Sequence, residues 1–415
     1  MDPTGRIRHE YPRLPATVEV IDCTLRDGEQ APGVWFSLEE KLRLATLLSA
    51  SGVDVLDAGF PASAPGEVDA LLAMRELGLA ARIGATARPL AGDVRAAARA
   101  RADEVFLFMP TSDLRLREVM GITREHAFDT IRAGAELVAE AGMTLNVVFE
   151  DATRADPGYL IDIAARLRGH VPIARLVLAD SVGCAEPVSM GRLVSEVDDA
   201  LDHDVVLCTH CHNDFGLATA STLAAVGAGA KAISCTVNGI GERAGNADLA
   251  ECVAALTHLY GVKHAVDPLA LVGLAETAEE LSGVHTSPTK PVTGFNVYRH
   301  ESGVHVDALL KQRRSYEFLP AEWVGRSIEY VLGKHSGAAL VRHLLRRAGI
   351  PCDDASVRED LRDIKLRTER RDKSEFHAAY AARRSFLRSA LAGQDPGAVV
   401  DAHLRDAPPA SWERV

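Results

Sequence analysis

The stretch Thr17-Val18-Glu19-Val20-Ile21-Asp22-Cys23-Thr24-Leu25-Arg26-Asp27-Gly28-Glu29-Gln30 decides the fold. Its first half, 18–23, reads as a strand. Its second half turns charged and lacks the glycine-rich phosphate turn that follows the first strand of an open doubly wound sheet. The same beat then recurs. Candidate strands at 53–60, 82–87, 104–109, 144–150, 175–179, 205–210 and 232–237 bring the number to eight. Between them lie Ala- and Leu-rich amphipathic stretches such as 38–49, 124–141 and 188–200. Ser37 with Glu40 reads as a capping box, and Thr123 with His126 as a partial one. Strict alternation of strand and helix predicts a parallel sheet flanked by helices. Strands that are nearly continuous apolar runs are covered on both faces. Eight such units in roughly 240 residues match an α/β fold of the (β/α)8 TIM-barrel type in number and length.

The beat stops after His258. Outward from the barrel, residues 1–16 read as an N-terminal arm and 17–265 as the barrel. Residues 266–320 read as a linker subdomain with a helical piece at 269–282. Residues 321–392 read as a helical C-terminal subdomain: a small unit ending at 340–347, then a charged helical stretch at 353–391. Residues 393–415, with Pro408-Pro409, read as a tail.

Composition narrows the function. The 415 residues are 47% hydrophobic and 25% charged, which fits a soluble globular protein and excludes a disordered or collagenous chain. The formal net charge of −12 argues against nucleic-acid binding, because an acidic surface repels phosphate backbones. No apolar run approaches the roughly 20 residues of a membrane span, and the first fifteen residues do not read as a signal peptide. Seven irregularly spaced cysteines fit reduced thiols and a cytoplasmic location.

Active-site groups of such a barrel gather at the C-terminal ends of the strands. Three predicted strand ends are polar: Arg26-Asp27-Gly28-Glu29-Gln30, Thr209-His210-Cys211-His212-Asn213-Asp214, and 238–246 with Glu242, Arg243 and Asn246. His210 and His212 are two apart, so an extended backbone turns both imidazoles to one face. Barrel closure brings Asp27 beside them. With the Asn246 amide oxygen as a fourth candidate, the set suits Mn²⁺, Mg²⁺ or Zn²⁺ without choosing among them. A His-x-His pair also serves as surface or core packing. Cys208 and Cys211 form a Cys-x-x-Cys, but alternation turns Cys208 inward and Cys211 toward the helices, and no second pair follows. The glycines at 239, 241 and 245 fit either a sharp loop or a close backbone approach to a ligand. Further on, His300-Glu301-Ser302-Gly303-Val304-His305-Val306-Asp307, Tyr316 and Gly333-Lys334-His335-Ser336-Gly337 read either as surface loops or as site residues.

Five of these stretches, in order, carry a family resemblance: 22–30, Ala58-Gly59-Phe60-Pro61-Ala62, Leu178-Ala179-Asp180-Ser181-Val182-Gly183, 210–214 and 238–246. Together they resemble the α-isopropylmalate synthase and homocitrate synthase family of acyl-CoA-dependent, metal-using barrel enzymes. The 300–311 and 331–337 segments are closest in wording to homocitrate synthase. The residues after 350 are too few for the regulatory domain of isopropylmalate synthases, so leucine feedback of that type is not expected.

The resemblance implies a Claisen condensation of acetyl-CoA with a 2-oxo acid. It implies Asp27, His210, His212 and Asn246 as metal ligands, and Arg26 as the group polarising the keto oxygen. It also implies Gln30, Glu150 and Ser181 as substrate contacts. His305 and Tyr316 resemble a pair that a neighbouring subunit's linker brings to the site, implying a homodimer with shared active sites. Glu301 is the carboxylate expected to support His305 as the base. Asn146 and Val148 stand where homocitrate synthases often have an Arg and a Ser that read the distal carboxylate of 2-oxoglutarate. This leaves room for a branched-chain 2-oxo acid, oxaloacetate or its phosphonate analogue, and for isopropylmalate-, citramalate-, citrate- or phosphonomethylmalate-type products. A carbon–carbon lyase like the hydroxymethylglutaryl-CoA lyases, and a non-catalytic relative, remain rival readings.

Overall fold

The computed structural model describes residue 7 and residues 9–395; the rest of the arm and the tail from 396 lie outside the described residues. Eight parallel strands close into a barrel: β1 (Glu19–Asp22), β2 (Val55–Asp57), β3 (Arg82–Ala87), β4 (Glu104–Pro110), β5 (Thr144–Glu150), β6 (Arg175–Asp180), β7 (Val206–Cys211) and β8 (Ala232–Cys235). Closure is made by β1 lying parallel to β8, with Glu19 opposite Ala232 and Asp22 opposite Cys235. All eight predicted strands are present. Each is followed by a helix: α1 (Leu38–Ala50), α2 (Pro65–Glu76), α3 (Ala91–Arg99), α4 (Arg124–Glu140), α5 (Pro157–Arg168), α6 (Pro187–Ala200), α7 (Ala218–Gly227) and α8 (Leu249–Ala255).

Local chemistry sets the helix starts. The Ser37 hydroxyl accepts from the Glu40 N–H, while the Glu40 carboxylate accepts from the Ser37 N–H at 2.7 Å, completing the predicted capping box. Thr123 makes only the forward half, accepting from His126 N–H at 3.2 Å, because an imidazole does not reach back. Leu44, Leu48, Leu71 and Met74 are fully buried between the barrel and its helices.

Side-chain alternation builds the barrel interior in layers. The lowest layer is a charged plug. Arg175 donates to Glu19 at 2.6 and 2.7 Å, to Glu104 at 2.7 Å and to the Asn146 carboxamide oxygen at 2.7 Å; Arg82 pairs with the same two glutamates. Above it Ile21, Val55, Phe106, Val177, Cys208 and Ala232 form an uncharged middle layer, against which Val148 packs. The top layer is polar and opens at the C-terminal mouth. Asn146 is thus part of the plug, and of the two departures noted in β5 only Val148 faces the cavity.

Beyond the barrel come α9 (Leu271–Ser282), β9 (Arg299–His300) paired with β10 (Glu329–Tyr330), α10 (Gly303–Lys311), α11 (Ala338–Arg347), α12 (Asp354–Glu369) and α13 (Ser374–Ala390). The predicted 353–391 stretch is therefore two helices. The break has a local cause: Asp372 accepts from both the N–H and the hydroxyl of Ser374, which competes with helical hydrogen bonding. Among the described residues no helix is long and apolar enough to cross a membrane. The seven cysteines are free thiols.

Candidate active site

A tight turn aims Asp27 into the barrel mouth: the Cys23 carbonyl accepts from the N–H groups of Asp27 at 2.8 Å and Gly28 at 3.1 Å. Asp27 is 1% exposed. Its Oδ2 lies 3.5 Å from His210 Nε2 and 3.8 Å from His212 Nε2. The two Nε2 atoms are 3.4 Å apart, with the rings at 82°. Extended β7 backbone therefore does what the two-residue spacing predicts. Atoms that share an ion at about 2.0–2.2 Å sit roughly 3.0–3.6 Å from one another; the 3.4 and 3.5 Å separations fall in that range and the 3.8 Å one lies just outside it, so a small rotation of His212 brings all three onto a common divalent cation.

Asn246 completes the corner. Its Nδ2 donates to Asp27 at 2.6 Å, and its Oδ1, like His212 Nδ1, is buried with no hydrogen-bond partner among the described residues. The 238–246 loop can fold so closely only with glycine. A Cβ on Gly241 would lie 2.1 Å from Asn246 Nδ2, and one on Gly245, at φ +84°, would lie 1.8 Å from the Gly239 carbonyl oxygen.

The electrostatics keep Asp27 and His212 in ligand form. Burial pushes the Asp27 carboxyl up, but the Arg26 guanidinium and the two imidazoles outweigh it and hold the group well below the usual carboxylate range. Burial and the neighbouring His210 bring His212 down to about 4, so its imidazole is neutral at pH 7. Cys23 also lies in this corner, 3.9 Å from His210 Nδ1, but burial pushes its thiol well above its ordinary value, and it donates to the Cys235 carbonyl. Cys208 faces the interior and Cys211 the helix layer, so the Cys-x-x-Cys is not a ligand pair.

Around this corner lies a cavity of about 310 Å³ lined by Arg26, Gln30, Glu150 and Ser181 as well as the two histidines. Arg26 Nε donates to Asp57 at 2.7 Å, and Asp57 accepts from the Thr86 hydroxyl at 2.9 Å. Ser181 Oγ accepts from the Asp151 N–H at 2.8 Å. Gln30 is exposed at the rim.

Sequence reasoning missed two participants, Asp57 and Arg115, and gave Arg243, placed in a polar strand end, no role. Asp57 sits just before the Ala58-Gly59-Phe60 motif, which was its only signal. Arg115 enters from the loop after β4 and pairs with Glu150. Arg243 binds Asp214 at 2.8 and 2.9 Å and donates to the Ser181 carbonyl at 2.8 Å, tying the loops after β6, β7 and β8.

His305 and Tyr316 do stand together, their rings stacked with centroids 4.1 Å apart, but on the exposed surface of the C-terminal region and not in the cavity of their own chain. The expected support of His305 by Glu301 does not match the position of that carboxylate. Glu301 accepts from the His335 N–H at 3.0 Å and packs against Gly333, where a Cβ would lie 2.6 Å away.

A closed parallel barrel whose mouth gathers one carboxylate, two imidazoles and a half-buried guanidinium has the form of a barrel enzyme. Residues 17–278 match the family described as HMGL-like, and residues 292–372 match the domain described as homocitrate synthase post-HMGL domain-like. The chain belongs to this family, on its synthase side. It is 40% identical to homocitrate synthase AksA of Methanopyrus kandleri over 92% of this chain and 96% of that one. It is 41% identical to a protein of the same organism named CimA after (R)-citramalate synthase, over 85% and 69%. To the 2-isopropylmalate synthase of Sulfolobus acidocaldarius it is 37% identical over 86% and 92%. Among solved structures, the hydroxymethylglutaryl-CoA lyase of Pseudomonas aeruginosa shares the fold at a TM-score of 0.58 and 21% identity, covering 66% of this chain and 95% of that one.

Proposed function

We propose that the protein catalyses a metal-dependent Claisen condensation of acetyl-CoA with a 2-oxo acid, followed by thioester hydrolysis, giving a 2-hydroxy-2-alkyl dicarboxylate or tricarboxylate and CoA. The convergence of Asp27, His210 and His212 beside Arg26, in a chain of this synthase family, carries the reading. Homocitrate synthase is the relative whose wording the C-terminal region follows.

Asp27, His210 and His212 would hold the cation, and Asn246 joins through the amide oxygen that is otherwise buried without a partner. Mn²⁺, Mg²⁺ and Zn²⁺ all suit this donor set. When bound, the ion supplies Lewis acidity to a chelated 2-oxo acid. Arg26, oriented by Asp57, presents a permanent charge to the oxygen that becomes an alkoxide. Gln30, Glu150 and Ser181 line the substrate side of the cavity.

His305, steadied by stacking on Tyr316, takes a methyl proton from acetyl-CoA. The methyl carbon then bonds to the keto carbon, and the alkoxide takes up a proton. Water next cleaves the thioester, so that the C–S bond breaks and the thiol of CoA leaves. Because His305 and Tyr316 stand outside their own cavity, they serve the partner's cavity in a cytoplasmic homodimer. In that assembly the barrel (17–265) is the catalytic unit, 266–320 crosses to the partner, and the 321–392 helices support the crossing.

The test is thiol release by the purified protein supplied with acetyl-CoA, a divalent cation and 2-oxo acids. Release that requires a 2-oxo acid and matches it mole for mole supports the reading. No release with any acid, or cleavage of a hydroxyacyl-CoA instead, overturns it in favour of a lyase.

A further inference from the structure

We infer that the 2-oxo acid accepted here carries a short, uncharged side chain, as pyruvate and its small alkyl homologues do, and bears no second carboxylate or phosphonate. This deepens the condensation reading and rests on it.

The direction of the side chain follows from the site. The carboxylate and keto oxygen of a 2-oxo acid are drawn to the corner formed by β1, β7 and β8, where Asp27, His210 and His212 meet. The third substituent of the keto carbon then extends across the barrel floor toward β4, β5 and β6. Phe106, Val148 and Val177 make that floor, with Phe108 on the wall above. None offers a charge or a hydrogen bond to an anion.

Among the described residues, each guanidinium lining the cavity already faces a carboxylate that offsets its charge, even where N–H donors remain. Arg26 is bound to Asp57 and lies 3.6 Å from Asp27. Arg115 is paired with Glu150, and Arg243 is held by both oxygens of Asp214. Beneath the floor, Arg82 and Arg175 are shared by Glu19 and Glu104 in the charged plug, separated from the cavity by the uncharged layer. Among the described residues no lysine lines the cavity, whereas Glu150 and Glu242 add negative charge to it. A second anion would therefore be desolvated without a partner, or would have to take a guanidinium from a carboxylate and strand that carboxylate instead. Both penalties fall on dianionic acids alone. Size sets the second limit, because the cavity of about 310 Å³ must also admit the acetyl thioester.

The experiment compares pyruvate, 2-oxobutyrate and 2-oxoisovalerate with oxaloacetate, 2-oxoglutarate and phosphonopyruvate on the full-length protein with Mn²⁺. Two readouts are taken: kcat/KM from thiol release, and the rise in Tm that each acid gives without acetyl-CoA, which reports binding alone. The expected result is at least about a hundredfold preference for one or more uncharged acids, of the size seen when a buried charge lacks a partner, with the same ranking in Tm. Val148→Ala should shift the kcat/KM ratio of 2-oxoisovalerate to pyruvate upward by about tenfold, the usual value of a methylene or two in an apolar pocket. A preference for a dianionic acid in either readout overturns the inference, as does an unchanged ratio in a folded Val148→Ala protein. If 2-oxoglutarate alone releases thiol, the condensation reading stands and the inference falls. If uncharged acids alone raise Tm and none releases thiol, the inference stands and the condensation reading falls. If no acid does either, both fall.

Discussion

Asp22 and Asp27 stand five residues apart, both almost wholly buried, and titrate in opposite directions. Asp27 has Arg26 and two imidazoles around it and stays ionised. Among the described residues Asp22 has only the N–H and hydroxyl of Thr24, each at 2.9 Å, and burial pushes it up to about 7. An unfolded Asp titrates near 4. Between about pH 4 and 7 the folded state therefore holds a proton that the unfolded chain has lost, and the stability contributed by this group falls as pH rises through that window. Asp22→Asn mimics the protonated form. The Tm of the wild type minus that of Asp22→Asn should thus decline by a few degrees from pH 4 to 7 and level off above; a flat or rising difference would refute the assignment. For Arg26 the expectation is kinetic: Arg26→Ala should lower kcat by about 10²–10³, as removal of one oxyanion donor does. A loss under tenfold in a folded variant would deny it that role. Asp27, His210 and His212 were legible because period-two spacing and strand-end position are written in the chain. Asp57 and Arg115 were not, because their roles arise from pairing across loops remote in sequence.

At the scale of elements, the most constrained piece is the 238–246 loop, where Gly245 at φ +84° meets the Gly239 carbonyl. Gly245→Ala should displace Asn246 and reduce metal affinity, read by titration calorimetry, while the far-UV circular dichroism of the barrel persists. Unchanged affinity would show that the loop does not position the site. Most strands were legible to within a residue or two, since each is an apolar run bounded by helix starts, but 53–60 shortens to Val55–Asp57. The layers within one strand were not. Asn146, Val148 and Glu150 share a face of β5, yet one belongs to the charged plug, one to the uncharged floor and one to the polar mouth. Alternation tells in from out and says nothing of depth. The 370–373 break was hidden for a related reason: a local Asp372–Ser374 turn overrides a pattern that otherwise reads as continuous helix.

At the scale of the molecule, the barrel is a complete fold, whereas the proposed chemistry needs His305 and Tyr316, which stand on the outside of their own chain. Val304 and Phe318 beside them are also exposed, at 72% and 57%, as apolar residues are when a second chain covers them. Mixing an inactive Asp27→Asn protein with an inactive His305→Ala protein should give heterodimers that regain part of the activity, because one of their two cavities is intact. No recovery, with subunit exchange verified, would place each site within one chain. The most direct measurement is metal content together with thiol release, before and after exhaustive chelation, on the wild type and on His212→Ala. One divalent cation per chain, turnover lost on chelation and restored by adding Mn²⁺, Mg²⁺ or Zn²⁺, and a variant that neither binds metal nor turns over are the predicted results. Undiminished thiol release from a metal-free wild type would contradict them.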